Sequence, residues 1–203
     1  MTDTVDRLSV WAGLVAPVLS MCGVLFATVA SPRFAWTEHA LSELGAASGP
    51  VATELTRLTF NGGLIGGGLV SLGFGYALLR AARNRVELTG IGLFGLTAAS
   101  MVLIGVFPTP RPVHFVVAVA FFVALSLAMW TYGAGNLLAG DRTRGGATIG
   151  LGGLNAAVWT VWGLTGEFVR PGIALPEIVG AAALAAWLVG TAIFVRARPR
   201  LRQ

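Results

Sequence analysis

Charge and sulfur are what this sequence has least of. Only 11% of its 203 residues are charged, none of its fourteen basic residues is lysine, and it has a single cysteine, Cys22. One cysteine excludes a disulfide framework within the chain. A soluble domain averages about 25% charged residues, so this chain has too few to cover a globular surface. The composition therefore predicts a protein whose surface is partly solvated by lipid.

The excess of basic residues fits the same interpretation. The formal net charge is +5 and the sequence pI is about 11.0, values that also occur in nucleic-acid-binding proteins. The arginines, however, lie in short clusters at the ends of apolar segments, where the positive-inside rule places them in membrane proteins. We therefore expect membrane lipids as partners and no nucleic acid.

Long apolar runs are what the sequence has in place of charge. A run of about 20 apolar residues crosses the hydrocarbon core of a bilayer as a helix. The chain has six such runs, which predict an all-α membrane protein with one six-helix transmembrane domain over residues 1–203. The predicted spans are Leu8–Ala30, Leu58–Leu79, Leu88–Phe107, Val113–Ala139, Ala147–Phe168 and Leu175–Val195.

The distribution of arginine predicts how these spans are oriented. Ten arginines flank one side of the predicted bundle and four flank the other. Because arginine-rich loops stay in the cytoplasm, we predict N-in/C-in topology and a multi-pass protein of the cell membrane. The polar stretch between the first two spans is then extracytoplasmic. The ten are Arg7, Arg80, Arg83, Arg85, Arg142, Arg144, Arg196, Arg198, Arg200 and Arg202.

The polar stretch Trp36–Pro50 interrupts this apolar pattern most clearly. Wound as an α-helix over Glu38–Leu44, it separates into one polar and one apolar face. Thr37 is at the position of an N-cap, and Gly45 is at the position of a left-handed C-cap. We predict a short amphipathic helix on the membrane surface, whose polar face carries Glu38, His39, Ser42 and Glu43.

The extracytoplasmic side of the predicted bundle holds both histidines of the chain. His114 begins the fourth span at the depth of the surface helix, and Asn61 lies where the second span enters the membrane. A polar residue within a membrane span is by default a functional candidate. We predict a polar cluster that binds a lipid headgroup or closes the bundle, formed by His39, Ser42, Glu43, Asn61, His114 and Glu167.

Two catalytic interpretations of the same residues stay open. His39 and Glu43 are four residues apart on one helix face, so with His114 they form a His₂Glu set for zinc, with one position left for water. Ser42 is an alternative nucleophile, with a histidine as its base. The interpretation that we favour has no cofactor and no metal, because the chain has no paired metal-binding motif such as HxxxH or CxxC.

Glycine is concentrated inside the predicted spans. A spacing of four residues lets helix backbones approach closely, and we interpret the glycines at this spacing as packing faces, which also allow a homo-oligomer. A broken helix along a transport path is the alternative interpretation. The pairs at this spacing are Gly62/Gly66, Gly63/Gly67 and Gly146/Gly150.

Three short motifs together resemble a known family. They are Ala40–Gly45 before a proline, Phe60–Leu64 at the start of the second span, and Gly105–Pro108 followed by His114. In these motifs and in span number, the chain resembles the prokaryotic membrane family DUF998 and is more distantly similar to the Frag/DRAM/Sfk group of six-span eukaryotic proteins. The motif positions are Ser42, Glu43, Gly45, Asn61, Pro108 and His114.

The resemblance narrows the function without supplying a reaction. The prokaryotic family implies no activity, and the eukaryotic group implies an association with lipid remodelling, lipid asymmetry and autophagy. We therefore predict an integral membrane protein that interacts with lipid through the polar cluster, in a groove beside Trp36. The alternatives are a membrane-embedded lipid hydrolase, metal- or serine-dependent, and a small-solute transporter.

Overall fold

The structure, a computed structural model, describes residues 2–165 and 172–197. Within these ranges the chain forms six long α-helices and one short 3₁₀ helix, Leu41–Gly45, and it has no β-strand. The prediction of an all-α protein is therefore confirmed for the described residues. The α-helices are α1 (Thr2–Ala30), α2 (Glu54–Ala81), α3 (Arg85–Val106), α4 (Pro112–Leu138), α5 (Arg142–Leu164) and α6 (Ala174–Ala197).

Local sequence signals account for where several of these helices begin. Thr53, Asn84 and Asp141 precede α2, α3 and α5, and each side chain accepts a hydrogen bond from the backbone N–H three residues later. Such a cap satisfies one of the N–H groups that the first helical turn leaves without a partner. α4 begins at Pro112, whose fixed φ suits the first turn. These caps place short loops between the long helices.

The helices pack in the order in which they occur in the chain. Each contacts the next, and α6 packs back against α1, so the six form a closed ring. Aromatic rings fill its middle: the centroids of Phe94 and Trp187 lie 5.0 Å apart, and those of Trp187 and Tyr132 lie 5.5 Å apart. Phe74 and Leu188 are fully buried beside them. In a bilayer such contacts stabilise the bundle through van der Waals packing.

The outward surface of the bundle is also apolar. Val29, Leu58, Phe115 and Ile193 are exposed on four different helices. An apolar surface of this extent is typical of an integral membrane protein. Five of the helices, all except α5, are long and apolar enough to cross a membrane.

α5 corresponds to the predicted fifth span but differs from it in composition and extent. It ends at Leu164, and residues 166–168 of the predicted span lie outside the described residues. Its glycines, its threonines and Asn155 lower its hydropathy below that of the other five helices. Length and composition alone therefore do not identify α5 as a membrane span.

Glycine allows α1 and α2 to lie in close contact. A Cβ built on Gly63 of α2 would lie 2.9 Å from the Cα of Gly23 and 3.0 Å from the carbonyl oxygen of Leu19 on α1. A Cβ on Gly67 would also approach α1 within 2.9 Å, whereas one on Gly62 would meet no atom within 4 Å. The packing face of α2 against α1 is therefore the one that carries Gly63 and Gly67.

The short helix between α1 and α2, Leu41–Gly45, which we call the linker helix, begins at a different residue from the predicted one. It is a 3₁₀ helix that begins at Leu41 and not an α-helix over Glu38–Leu44. The Oε1 of Glu43 accepts from the backbone N–H of Ala40 at 3.0 Å, and the Oε2 of Glu177 accepts from that of Leu41 at 2.5 Å. These two carboxylates hold the N–H groups that open the helix, so its first turn forms there.

Neither predicted cap of this helix is used. The residue before the helix is Ala40 and not Thr37. Gly45 is not among the described glycines with a positive φ, so it is not a left-handed C-cap. Space explains the glycine instead, because a Cβ on Gly45 would collide with the Oδ1 of Asn61 on α2.

Alternating helix directions give the bundle two ends of different character. At the end that we call the linker end, the backbone N–H of Ala174 on α6 donates to the carbonyl oxygen of His39 at 3.0 Å. At the other, which we call the arginine end, the Nδ2 of Asn84 donates to the carbonyl oxygen of Gly135 at 2.9 Å. Five of the six residues of the predicted polar cluster lie at the linker end, namely His39, Ser42, Glu43, Asn61 and His114.

Candidate functional site

A small cavity lies inside the bundle at the linker end. Its volume is about 60 Å³, and residues of α1, α2, α3, α4, α6 and the 3₁₀ helix line it. Most of the lining is apolar, but Ser42, His114 and Glu177 bring polar side chains to it from three separate elements. An apolar cavity with a few converging polar groups has the composition of a ligand site. We call it the inner cavity.

Glu177 connects the linker helix to α6. It lies in the first turn of α6 and is only 9% exposed. Its hydrogen bond to the backbone N–H of Leu41 joins residues that are 136 positions apart in the chain. Burying a carboxylate is costly unless hydrogen bonds or charges compensate. This acid therefore fixes the linker to the last helix and forms part of the cavity wall.

The linker between α3 and α4 orients His114. Its Nδ1 lies 2.9 Å from the carbonyl oxygen of Phe107. Because a carbonyl oxygen only accepts, Nδ1 carries the proton, and in the neutral ring Nε2 is then an acceptor. An imidazole held in this way can act as a base, as an acceptor for a ligand hydroxyl, or as a metal ligand.

His39 has the opposite arrangement and does not line the inner cavity. The backbone N–H of Ala35 donates to its Nδ1 at 3.1 Å, so the neutral ring carries its proton on Nε2. The ring packs on Phe34, with centroids 5.8 Å apart. The side chain of His39 therefore stabilises its own turn, while its carbonyl oxygen binds the start of α6.

Glu43 and Asn61 also hold the linker in place. Glu43 accepts from the backbone N–H of Ala40, three residues earlier. The Nδ2 of Asn61 donates to the carbonyl oxygen of Gly45 at 2.9 Å, which fastens the end of the 3₁₀ helix to α2. A hydrogen bond of this kind contributes about 1 kcal/mol to stability. Both residues act on the backbone that closes over the inner cavity.

The structure thus separates the predicted cluster into groups. Among the described residues, no three His, Cys, Asp or Glu side chains come together as a metal site. The alternative zinc set of His39, Glu43 and His114 is therefore not assembled. Ser42 and His114 line the inner cavity, His39, Glu43 and Asn61 bind backbone groups, and Glu167 lies outside the described residues.

A much larger cavity lies beside the first, between α4, α5 and α6. Its volume is about 590 Å³, within the range of about 300–1,000 Å³ that small-molecule sites occupy. We call it the groove. Ala118, Phe122 and Glu177 line both the groove and the inner cavity, so these residues stand between the two. Trp36, beside which a groove was expected, is not among its lining residues.

Aromatic rings form much of the groove wall. The ring centroids of Phe122 and Trp159 lie 4.7 Å apart, and those of Trp159 and Trp162 lie 5.8 Å apart. Asn155 and Ser126 bring polar groups to this wall, and the Nδ2 of Asn155 donates to the Phe122 carbonyl oxygen at 2.9 Å and to the Ser126 hydroxyl at 2.8 Å. These bonds join α5 to α4 and leave the groove largely apolar.

The polar cluster predicted from the sequence does not include Glu177. The available signal was a carboxylate just inside the predicted sixth span, where an ionisable residue is a functional candidate by default. Its long-range contact with Leu41 has no sequence signature. The site that the structure shows therefore shares Ser42 and His114 with the prediction and adds Glu177.

A second polar group, at the arginine end, was also missed. The guanidinium of Arg83 donates to Glu87, whose side chain is only 1% exposed, and to the Oδ1 of Asn136 at 2.7 Å. Arg144 donates to the same Oδ1 at 2.6 Å and to Asp141 at 2.8 Å. The five residues join α3, α4 and α5. Asn136 within the predicted fourth span and Glu87 directly before the predicted third span were the signal for this group.

Asp141 belongs to this group and lies outside the long apolar helices. Partial burial acts to raise the pKa of its carboxyl, but the hydrogen bonds and charge of Arg144, with a smaller effect of Arg83, outweigh it. The pKa of Asp141 is therefore held below its usual range. Its ion pair with Arg144 is present at neutral pH.

A family model described as "Protein of unknown function (DUF998)" matches residues 14–193, which is most of the chain. No curated protein and no solved structure matches. The matched region includes every residue of the inner cavity and of the groove.

Proposed function

The chain belongs to the DUF998 family, and from that premise we propose that it is a six-span membrane protein that binds a membrane amphiphile. In this proposal both termini are cytoplasmic, α5 crosses the membrane with the other five helices, and the linker end is extracytoplasmic. The apolar part of the ligand lies in the groove between α4, α5 and α6. Its polar part reaches the inner cavity at Glu177, His114 and Ser42.

The observation that carries the proposal is the position of Glu177. This buried carboxylate lines both the large apolar groove and the small cavity that holds the other polar groups. An ionisable side chain within a membrane helix is retained where it faces a partner, a cavity or a substrate. An amphiphile satisfies both halves of this site, because it brings apolar chain to the groove and hydrogen-bonding groups to the acid.

The donors and acceptors indicate the kind of polar head. The Oε2 of Glu177 accepts a hydrogen bond, and the Nε2 of a neutral His114 also accepts, given the bond at Nδ1. A head with hydroxyl or amino hydrogens therefore complements the site better than one that only accepts. The aromatic wall of Phe122, Trp159 and Trp162 suits a flexible hydrocarbon chain.

Two neighbouring alanines on α5 provide the test. Ala156 lines the groove, and Ala157 is exposed on the outside of the same helix. In Ala156→Leu the added side chain occupies the space of the ligand, and overpacking costs about 1–3 kcal/mol. That range corresponds to roughly 5- to 150-fold weaker binding. Ala157→Leu adds the same atoms on the outside and leaves the groove unchanged.

Native mass spectrometry of protein released from a mild detergent reports the bound lipid directly. We expect a retained lipid on the wild type and on Ala157→Leu, and loss of that lipid from Ala156→Leu. Glu177→Gln keeps an oxygen for the Leu41 N–H but replaces the other carboxyl oxygen with an amide NH₂ group, and it should reduce the same adduct. Equal lipid on Ala156→Leu and Ala157→Leu, or none on the wild type, would refute the proposal.

A second candidate function is lipid hydrolysis, and one observation favours it. Ser42 and His114 line the same cavity, and the bond at Nδ1 leaves the Nε2 of His114 able to accept the proton of a serine hydroxyl. In this case Ser42 attacks an ester carbonyl and His114 is the base. A fluorophosphonate probe should then label the wild type but not Ser42→Ala. If wild-type protein that carries its lipid is not labelled, hydrolysis by Ser42 is refuted and lipid binding stays the proposed function.

A further inference from the structure

A third cavity, at the arginine end, carries chemistry that the proposed function does not use. It has a volume of about 140 Å³ and lies between α4, α5 and α6. We call it the arginine-end cavity. Its lining shares no residue with the groove or the inner cavity. The polar residues that line it are Tyr132, Asn136, Arg144, Thr148, Trp187 and Thr191.

Arg144 is held rigidly at one side of this cavity. Its Nε donates to Asp141 at 2.8 Å, and its Nη2 donates to the Oδ1 of Asn136 at 2.6 Å. Its guanidinium carbon lies 2.9 Å from the ring centroid of Phe194. The remaining terminal nitrogen, Nη1, is buried and has no hydrogen-bond partner within the described part of the chain. The guanidinium is therefore fixed in place with donor capacity left over.

Trp187 supplies a second donor of the same kind from α6. The residue is only 3% exposed, and its Nε1 is buried without a hydrogen-bond partner among the described residues. Indole N–H groups can only donate, and a buried donor left without a partner costs about 1–3 kcal/mol. The hydroxyls of Thr148 and Thr191, both less than a tenth exposed, bring further donors to the cavity.

Acceptors are scarce in comparison. The Oδ1 of Asn136 already accepts from Arg83 and Arg144, and no carboxylate is among the residues that line the cavity. Asp141 and Glu87 are engaged with the two arginines. A space lined by a guanidinium, an indole N–H and hydroxyls is complementary to a group that is rich in acceptors and negatively charged.

We propose that the arginine-end cavity binds a phosphate group through Arg144, Trp187, Thr148 and Thr191. A water needs about 10–15 Å³ of such space, so 140 Å³ accommodates a phosphate of five non-hydrogen atoms with several waters. The same chemistry fits inorganic phosphate and the phosphate of an anionic phospholipid. In the topology that we propose, this end is cytoplasmic, and both are present on that side.

Substitutions outside the polar group of the arginine end, which is Arg83, Glu87, Asn136, Asp141 and Arg144, test the proposal. Thr191→Val removes one hydroxyl at nearly constant volume, and Trp187→Phe removes the indole N–H while it keeps an aromatic ring in the core. Each lost hydrogen bond to a charged group should weaken binding about tenfold. The matched control is Thr160→Val on α5, whose exposed hydroxyl bonds the carbonyl oxygen of Ala156 outside this cavity.

The experiment measures binding in two arms on the full chain in micelles of a maltoside detergent, which contains no phosphate. One arm titrates inorganic phosphate, and the other adds phosphatidylglycerol, with thermal unfolding and native mass spectrometry as readouts. Stabilisation in either arm that Thr191→Val and Trp187→Phe weaken and Thr160→Val does not supports the proposal. The arm that responds identifies the source of the phosphate.

Two results would overturn the proposal. One is no stabilisation or adduct in either arm with wild-type protein. The other is an equal response in Thr191→Val, Trp187→Phe and Thr160→Val. Unfolding of Trp187→Phe alone leaves the decision to Thr191→Val, because that variant changes no core ring. Loss of the groove lipid in Ala156→Leu concerns a separate cavity, so the two proposals fail independently.

Discussion

Adjacent glycines on α2 give a sharp test of how the bundle packs. Gly63 faces α1, where a Cβ would lie 2.9 Å from the Cα of Gly23 and 3.0 Å from the carbonyl oxygen of Leu19. Gly62 is its neighbour, and a Cβ there would meet no atom within 4 Å. Gly63→Ala and Gly62→Ala therefore make the same chemical change on the same helix, one inside a contact and one outside it.

The magnitude follows from these distances. Both atoms that face Gly63 belong to backbone, so α1 and α2 must move apart to admit a methyl group. Overpacking of this kind costs about 1–3 kcal/mol. Alanine returns about 1 kcal/mol through its better helix propensity, which leaves a net destabilisation of up to about 2 kcal/mol for Gly63→Ala. For Gly62→Ala only the propensity gain applies, so we expect no loss.

Thermal unfolding in detergent measures the difference. In a protein of this size 1 kcal/mol corresponds to about 2–4 °C, so Gly63→Ala should lower Tm by up to about 8 °C. Gly62→Ala should leave Tm unchanged or raise it slightly. Because α1 and α2 both line the inner cavity, the first variant should also weaken lipid retention. Equal Tm values for the two variants would refute the packing described for α1 and α2.

Three further predictions concern polar contacts. Glu87→Ala leaves the guanidinium of Arg83 without its buried carboxylate partner and should lower the free energy of unfolding by about 3–5 kcal/mol in chemical unfolding. Its control, Glu54→Ala at an exposed site, should change that free energy by less than about 0.5 kcal/mol. Asn61→Ala removes one bond to the linker and should cost about 1 kcal/mol by the same measurement, with faster proteolysis of the linker. The pKa of Asp141 is lower in the folded protein than the ordinary carboxyl value of about 3.9. Its ion pair with Arg144 therefore stabilises the fold at pH values above about 3.9, and this stabilisation is lost as the pH falls through the folded-state pKa. Asp141→Asn should therefore be less stable at neutral pH and show a flatter acid limb in a Tm-against-pH series, and an unchanged acid limb would contradict the assignment.

The long helices could be predicted from the sequence because lipid imposes a simple rule on them. The predicted spans Leu8–Ala30 and Leu175–Val195 lie within α1 and α6, and the predicted second and third spans overlap α2 and α3 closely. Runs of apolar residues of this length have few alternatives to a helix in a bilayer. Thr53, Asn84 and Asp141 set where α2, α3 and α5 begin, because N-capping depends on local sequence alone.

The linker helix and the site could not be predicted in the same way. The first turn of the 3₁₀ helix depends on Glu177, a residue 136 positions away, so the helical periodicity of Glu38–Leu44 was misleading. His39 and His114 both lie at the linker end. The backbone N–H of Ala35 orients the ring of His39, and the carbonyl oxygen of Phe107 orients the ring of His114. No pattern in a single sequence contains these contacts.

Glycine spacing was informative only in part. Gly63 and Gly67 contact α1, whereas a Cβ on Gly146 or Gly150 would meet no atom within 4 Å. A four-residue spacing marks two faces of a helix equally well, and only the partner helix decides which of them is used. That the outward glycines contact a second copy of the chain stays a prediction.

Photo-crosslinking in membranes tests the central claim most directly. A lipid with a diazirine in its chain and a clickable tag is incorporated into vesicles with the protein, and the labelled peptides are mapped by mass spectrometry. We expect labels on the groove residues of α4 and α5, such as Trp130 and Trp159. Excess unlabelled lipid should reduce this labelling by competition, and Ala156→Leu should abolish it. Labels that are spread over outward residues such as Val29 and Leu58, without competition and without loss in Ala156→Leu, would contradict the account.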